Sequence, residues 1–190
     1  TQIGRFRKAI GEAGVEELLK ATIDTAVTTK AVRPAEFERV IVDSTVQEKA
    51  IAHPVDSRLL EIARAKIVQG AKLAGLTLKQ TFVKEGRELR RKAGGYAHAK
   101  QFKRLRRVVK RQRTILGIVI REIQRKLSAA STDSPSRITR LNTLLERAER
   151  IRTQQPKDKN KLYALHAPEV ECIGKGKARK PYEFGVKTSI

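Results

Sequence analysis

The chain has 190 residues, a formal net charge of +22, charged residues at 33%, apolar residues at 39% and aromatics at 4%. That suffices for one large domain with a core; the basic balance excludes an acidic nucleic-acid mimic, and the scarce aromatics and absent Trp argue against recognition by serial base stacking. The single cysteine, Cys172, excludes an internal disulfide and suits a reducing, cytoplasmic setting, and the longest apolar run, ILGIVI, falls far short of the ~20 residues of a membrane-spanning helix.

In chain order, residues 12–28 place Val15, Leu18, Leu19, Thr22, Ile23 and Ala26 at helical spacing, with Glu12, Glu16 and Glu17 in the first turns where the helix dipole favours them. After a connector at 30–34, residues 38–46 are β-branched and nearly all apolar up to Asp43, the pattern of a buried strand ending in a polar residue. Pro54 breaks the chain, and Asp56 or Ser57 is placed to cap a helix over 57–75 with Leu59, Leu60, Ile62, Ala63, Ile67, Ala71 and Ala74 on one side. Residues 76–83 fit strand, loop and helix equally. Gly94-Gly95 interrupts the basic run, and a long helix follows from about Ala97 to Leu127. A Ser/Thr/Asp/Pro turn at 128–136 leads to a second amphipathic helix, 136–153, so the two form an antiparallel hairpin. Residues 157–161 read as a solvated loop and 170–173 as a short strand. Gly174 to Pro181 is a glycine-rich basic turn, and 182–190 alternates at period two, so the last segments predict a β-hairpin. The absence of Met, a start inside a running segment and an end inside an alternation predict an internal piece of a longer protein.

Charge is concentrated. Between Lys84 and Arg113, 13 of 30 residues are Lys or Arg and only Glu85 and Glu88 oppose them, giving +11 in a stretch that runs into an apolar helix. A one-signed basic surface on a folded scaffold points to nucleic acid, whereas an ordinary solvated face mixes signs. The candidate phosphate contacts are Arg90, Arg91, Lys92, Lys100, Lys103, Arg104, Arg106, Arg107, Lys110 and Arg111, with Lys187 on the last strand as a further one.

Asp43 is the candidate for chemistry. A carboxylate at the end of an apolar strand is a setting in which Mg²⁺ is bound, although a turn Asp fits the same position. The segment Val40-Ile-Val-Asp-Ser-Thr-Val-Gln-Glu-Lys-Ala-Ile-Ala-His-Pro-Val-Asp-Ser-Arg-Leu-Leu60 resembles the first catalytic-strand block of the DDE transposases of bacterial insertion sequences. Gly95-Tyr-Ala-His-Ala-Lys-Gln101 is similar to the helical insertion of one group of them, and Lys157 to Lys187 resembles the block after that insertion. The resemblance covers essentially the whole chain. It implies an α/β fold, a partial ribonuclease-H-like sheet interrupted by a long, basic, mainly helical insertion. It divides the chain into a helical segment, 1–35, a partial core, 36–56 with 157–190, and the insertion, 57–156. It further implies strand cleavage and transfer with two Mg²⁺ or Mn²⁺ ions, Asp43 as a metal ligand and first catalytic carboxylate, double-stranded transposon-end DNA as partner, a homo-oligomer on that DNA, and a bacterial, nucleoid-associated location. The second Asp and the Glu of the family's triad are not found in this sequence, so the chain is expected to be inactive alone.

Other readings carry less. A structural nucleic-acid binder, such as a ribosome-associated helical protein, explains the charge but not the strand ending at Asp43. A basic coiled-coil module explains only the helical hairpin. His53 and His166, each near a Pro, read as loop packing or phosphate contacts before metal ligands, and Cys172 as a small core residue. Gly174-Lys-Gly-Lys lacks the Ser/Thr of a nucleotide loop and reads as a tight turn. Alternation predicts that Cys172 and Phe184 face a core and that Glu171 and Glu183 point away from it.

Overall fold

A computed structural model describes residues 2–33, 44–129, 135–174 and 181–189. Asp43 and the apolar run before it lie outside the described residues, as does most of the basic turn at 175–180. Among the described residues no helix is long and apolar enough to cross a membrane. The chain divides into two units, Thr1–Ser44 with Ser189–Ile190, and Thr45–Thr188.

The first unit is built on α1 (Gln2–Thr28), which bends at Gly11, φ 67°. The sequence pattern locates the part after Gly11 and misses the helical turns before it. The helix closes with Lys30 left-handed: the Lys30 N–H donates to Val27 O at 3.0 Å and the Ala31 N–H to Ala26 O at 2.9 Å, a Schellman arrangement. Val15, Leu18, Leu19 and Ile23 are exposed.

The second unit combines a helical bundle with a small sheet. Its helices are α2 (Asp56–Leu73), α3 (Val83–His98), α4 (Phe102–Ala129) and α5 (Pro135–Thr153). Helix α2 packs on the other three, and α4 packs on α3 and α5. The core collects Leu59, Leu60, Ala63, Ile67 and Ala71 from α2, Leu116, Val119, Ile120 and Ile123 from α4, and Leu141, Leu145, Ala148 and Ile151 from α5. Each set repeats at three or four residues, so one stripe per helix is removed from water, worth ~1.5–3 kcal/mol for each large side chain. Neither expected cap forms: Val55 precedes α2 in extended conformation with no side-chain cap, and the Asp56 carboxylate instead lies 3.8 Å from Arg113.

The ambiguous stretch after α2 is irregular. Arg64 and Glu61 form a buried bidentate pair at 2.8 and 2.7 Å, and a third Arg64 nitrogen donates to Thr81 O at 2.6 Å. From α4, the Glu122 carboxylate accepts the Lys79 N–H at 2.7 Å, and Lys126 donates to Thr77 O. Helix α3 then crosses the buried pair at Gly86, where an added Cβ would collide with the Glu61 carboxylate and stand 2.8 Å from Arg64 Nε.

Strands β1 (Ser44–Glu48), β2 (Glu171–Gly174) and β3 (Tyr182–Ser189) form one sheet in the order β1-β3-β2. β2 and β3 are antiparallel, with Cys172 opposite Phe184 and Ile173 opposite Glu183. Phe184 packs with Tyr163 and Ile51 on a small cluster of Ala164, Ala167 and Val170, while Cys172 opposite it is half-buried. Glu183 is on the sheet's other face, as alternation predicts, and is buried there opposite Ile173, so both faces of the hairpin are partly covered. At Gly185 the backbone of Gln47 in β1 occupies the space a Cβ would need, which fixes glycine at the strand crossing. The described residues are thus mixed, mostly helical, with one small sheet.

Gly86→Ala is expected to cost about 1–3 kcal/mol, because a methyl must displace a buried ion pair. Gly94→Ala, whose Cβ meets nothing within 4 Å, should be neutral or stabilise α3 by up to ~1 kcal/mol. Urea denaturation followed by circular dichroism measures both.

The Lys79 N–H, followed by Lys126, holds the Glu122 carboxyl below the usual range. A depressed folded-state value means that its contribution is present above about pH 4.3 and is lost as pH falls through the folded value. Glu122→Gln should therefore cost about 1 kcal/mol at pH 7. The gap to the wild type should close under acid, read from urea midpoints across roughly pH 2.5–7.

Candidate nucleic-acid interface

The basic block folds as a helical hairpin, α3–turn–α4. Gly94-Gly95 does not interrupt it. Both glycines lie inside α3 at exposed positions, where each costs ~1 kcal/mol of helix propensity but breaks no hydrogen bond. The reversal comes at Ala99–Gln101. Lys100 is left-handed (φ 54°), its N–H donates to Ala97 O at 3.1 Å, and the Gln101 N–H donates to Tyr96 O at 2.8 Å. This is again a Schellman closure, with lysine where glycine is usual.

Every hairpin residue expected to touch phosphate is exposed: Arg90, Arg91, Lys92, Lys100, Lys103, Arg104, Arg106, Arg107, Lys110 and Arg111. The two acidic residues are each taken by one neighbour. Glu88 pairs with Lys92 at 2.6 Å within α3, and Glu85 holds Arg111 of α4 through two hydrogen bonds of 2.7 and 3.2 Å. These contacts lower the Glu88 carboxyl and raise the Lys92 and Arg111 groups, in each case first through the side-chain hydrogen bond. Arg104 hydrogen-bonds Gln101 at 2.9 Å and sits 5.9 Å from the centre of the Tyr96 ring, tying the two helices at the tip. Arg90, Arg91, Lys100, Lys103, Arg107 and Lys110 form no ion pair among the described residues.

On α4 the buried stripe through Val108, Gln112, Ile115, Val119 and Ile123 leaves Lys103, Arg106, Arg107 and Lys110 on the opposite side. Arg121 and Arg125, both exposed, continue that outer side at helical spacing. Between Lys110 and Arg121 the same side carries Thr114, Gly117 and Ile118, with Gly117 buried against the Arg152 side chain of α5, so the cations stand in two groups, Lys103 to Lys110 and Arg121 with Arg125. Sequence reading missed Arg121 and Arg125, and also Arg87, which lines a shallow groove with Arg90 and Arg91 beside Glu61 and Ile62. The signal for Arg121 and Arg125 was the helical period continued beyond the dense block, whereas Arg87 lies within that block, three residues before Arg90.

The remaining candidates are elsewhere. Lys187 is exposed on β3. His53 stacks edge-on against Phe184 with ring centres 5.6 Å apart, a packing role. His166 lines a groove between α2 and α5 with Lys66, Arg137, Arg140 and Arg147. Cys172 is half-buried beside Tyr163, whose hydroxyl is raised chiefly by burial. Asp43 lies outside the described residues. Among the described residues no three His, Cys, Asp or Glu side chains converge as a metal site would need.

No family model matches the chain, and no solved structure matches it. Over 97 residues, 51% of this chain, it is 48% identical to a Rhizobium meliloti protein described as "Uncharacterized protein ORF8 in nfe locus". The match covers 47% of that protein, so the chain spans about half the length of the curated relative.

Proposed function

We propose that this chain binds duplex DNA through the α3–α4 hairpin and forms part of a DDE-type transposase of bacterial insertion sequences, with β1, β3 and β2 belonging to a ribonuclease-H-like sheet. The observation that carries the DNA reading is the group of exposed cations on the outer side of the first half of α4, Lys103, Arg106, Arg107 and Lys110, left after Glu85 and Glu88 have each engaged a single cation. That group is Lys and Arg alone, so phosphate contacts, which position a protein without reading sequence, are its chemistry. The transposase reading is supported by the strand material that brackets the helical block and by the resemblance around Asp43. Transposon ends are the proposed ligand, bound by a homo-oligomer.

In an intact protein two Mg²⁺ or Mn²⁺ ions would activate the attacking oxygen and stabilise the leaving one. Asp43 is the proposed ligand from this sequence. A single carboxylate offers fewer oxygens than a pair of hard divalent ions requires, and among the described residues no cluster stands ready to join it. What the chain's own residues do is hold and orient the duplex.

If about six phosphates are neutralised, the slope of log K against log salt should be roughly −5 on a duplex of arbitrary sequence. Replacing Lys103, Arg106, Arg107 and Lys110 with Gln should flatten it toward roughly −2. Replacing Arg104 and Arg111, which are engaged within the hairpin, should change it by less than about 1. Fluorescence anisotropy across a salt series checks both, and equal effects of the two sets would refute the outer group as the contact surface.

Incubated with transposon-end DNA and Mg²⁺ or Mn²⁺, the chain should give no strand cleavage on a denaturing gel, since one carboxylate does not hold two metal ions. Cleavage that is lost in Asp43→Asn would show that the remaining ligands are in this sequence after all.

A further inference from the structure

At the apex of the α3–α4 hairpin stands Phe102, the first residue of α4, with 57% of its surface exposed. A phenylalanine left in water forgoes its burial, so its surroundings matter more than its exposure alone. Lys100 precedes it in the turn, Lys103 follows it, and Arg106 lies one helical turn further on, its Nε donating to Phe102 O at 3.4 Å. Between Glu88 and Glu122 the sequence has no acidic residue. The tip is also braced: the Lys100 and Gln101 N–H groups close α3, the Phe102 N–H donates to Lys100 O at 3.0 Å, and Arg104 spans from Gln101 to the Tyr96 ring. A single aromatic ring is therefore presented on a stiff support inside a cationic collar.

We infer that Phe102 is a wedge that enters the base stack of duplex DNA and partly unstacks one step while the surrounding lysines and arginines hold the flanking phosphates. The inference rests on the proposed DNA binding by the hairpin and adds to it a deformation of the duplex. The chemistry selects this partner. A ring surrounded by cations needs a surface that is anionic outside and apolar inside within a few ångströms, and stacked base pairs between two phosphate rows provide it. An anionic lipid surface also carries negative charge, but binding it calls for a broad apolar helix face, and the tip offers one ring. Pyrimidine–purine steps, which kink most easily, are the expected place of insertion.

The energetics set the readout. Stacking on the ring and loss of base stacking oppose each other, so Phe102 should alter the shape of the complex more than its strength. The test uses the full chain with duplexes of about 20 bp carrying 2-aminopurine in TA steps and a donor–acceptor dye pair on the ends. The wild type should raise 2-aminopurine fluorescence and shorten the end-to-end distance. Phe102→Ala should keep its affinity within about fivefold, with the same salt slope, while losing most of both signals. Phe102→Leu, an alternative apolar wedge, should retain them in part. If the wild type binds with no change in either signal, or Phe102→Ala leaves both intact, the wedge is overturned and the DNA reading survives. If the wild type does not bind duplex at all, both fail together. Should Phe102→Ala instead abolish uptake onto phosphatidylglycerol vesicles while the DNA signals stay unchanged, the tip is a lipid contact and the wedge is equally overturned.

Discussion

The basic hairpin depends on the buried pair between Glu61 and Arg64. Helix α3 has little apolar surface of its own with which to dock: its fully buried positions are Gly86 and Ala93, two of the smallest residues. What it meets on α2 is a charged pair removed from water, satisfied by two mutual hydrogen bonds and by Thr81 O. Such a pair adds little net stability over an apolar substitute, but losing one partner strands a buried charge at about 3–5 kcal/mol. Its geometric effect is larger than its energy. The third Arg64 donor fixes the chain just before α3, and the flat surface of the pair accepts a helix only where that helix has no Cβ. Gly86 supplies that place, and Phe82, left-handed at φ 52° and packed on the main core, sets the entry angle. The register of α3 on α2 follows, and with it the direction in which Arg87, Arg90 and Arg91 are displayed.

A second constraint joins the bundle to the sheet. Residues 154–170 have no regular structure, yet Leu162 and Leu165 belong to the bundle core while Ala164, Ala167 and Val170 belong to the cluster under Phe184. One segment therefore contributes to both cores. Its polar backbone is satisfied from α5 and the residue just after it: Gln154 both donates to Leu162 O and accepts its N–H, Arg147 donates to Leu165 O, and Arg150 donates to Asn160 O. A helical excursion from a three-stranded sheet would otherwise hang on two single connections. Here the return path is part of the packing, so the hairpin is carried on a body that includes β2 and β3.

Where the sequence was informative, the signal was local. The helices expected at 57–75 and 136–153 are found at Asp56–Leu73 and Pro135–Thr153, because an apolar period bounded by Pro and Ser leaves few alternatives. The β-hairpin that closes the unit was legible from period two. What was missed came from contacts distant in sequence. The connector 74–82 is irregular because Arg64, Glu122 and Lys126 hold its carbonyls and an N–H, none of which a local pattern contains. Gly94-Gly95 interrupts the basic run in sequence, yet both glycines are helical and the chain reverses at Lys100, a residue that carries no turn signature. The strand expected over 38–46 with Asp43 closing its apolar run is described only as Ser44–Glu48, so strand pairing continues past Asp43, and Asp43 itself lies outside the described residues.

Concentrating like charge on this hairpin sets two requirements against each other. The exposed cations of α3 and α4 repel one another in the free protein, and α3 has little apolar contact with which to resist. Two surface pairs, Lys92 with Glu88 and Arg111 with Glu85, relieve part of this, the second by bridging the helices directly. Such exposed pairs contribute little each, so most of the resistance must come from the buried contact at Gly86 and from the core of α4. Salt then acts in opposite directions on the two states. Screening over ~10 Å relaxes the repulsion within the free hairpin. The same ions compete with the protein for phosphate and weaken its complex with a polyanion. A folded scaffold that tolerates uncompensated charge at low salt has the more to gain from a polyanion there, since binding removes the repulsion that folding had to overcome.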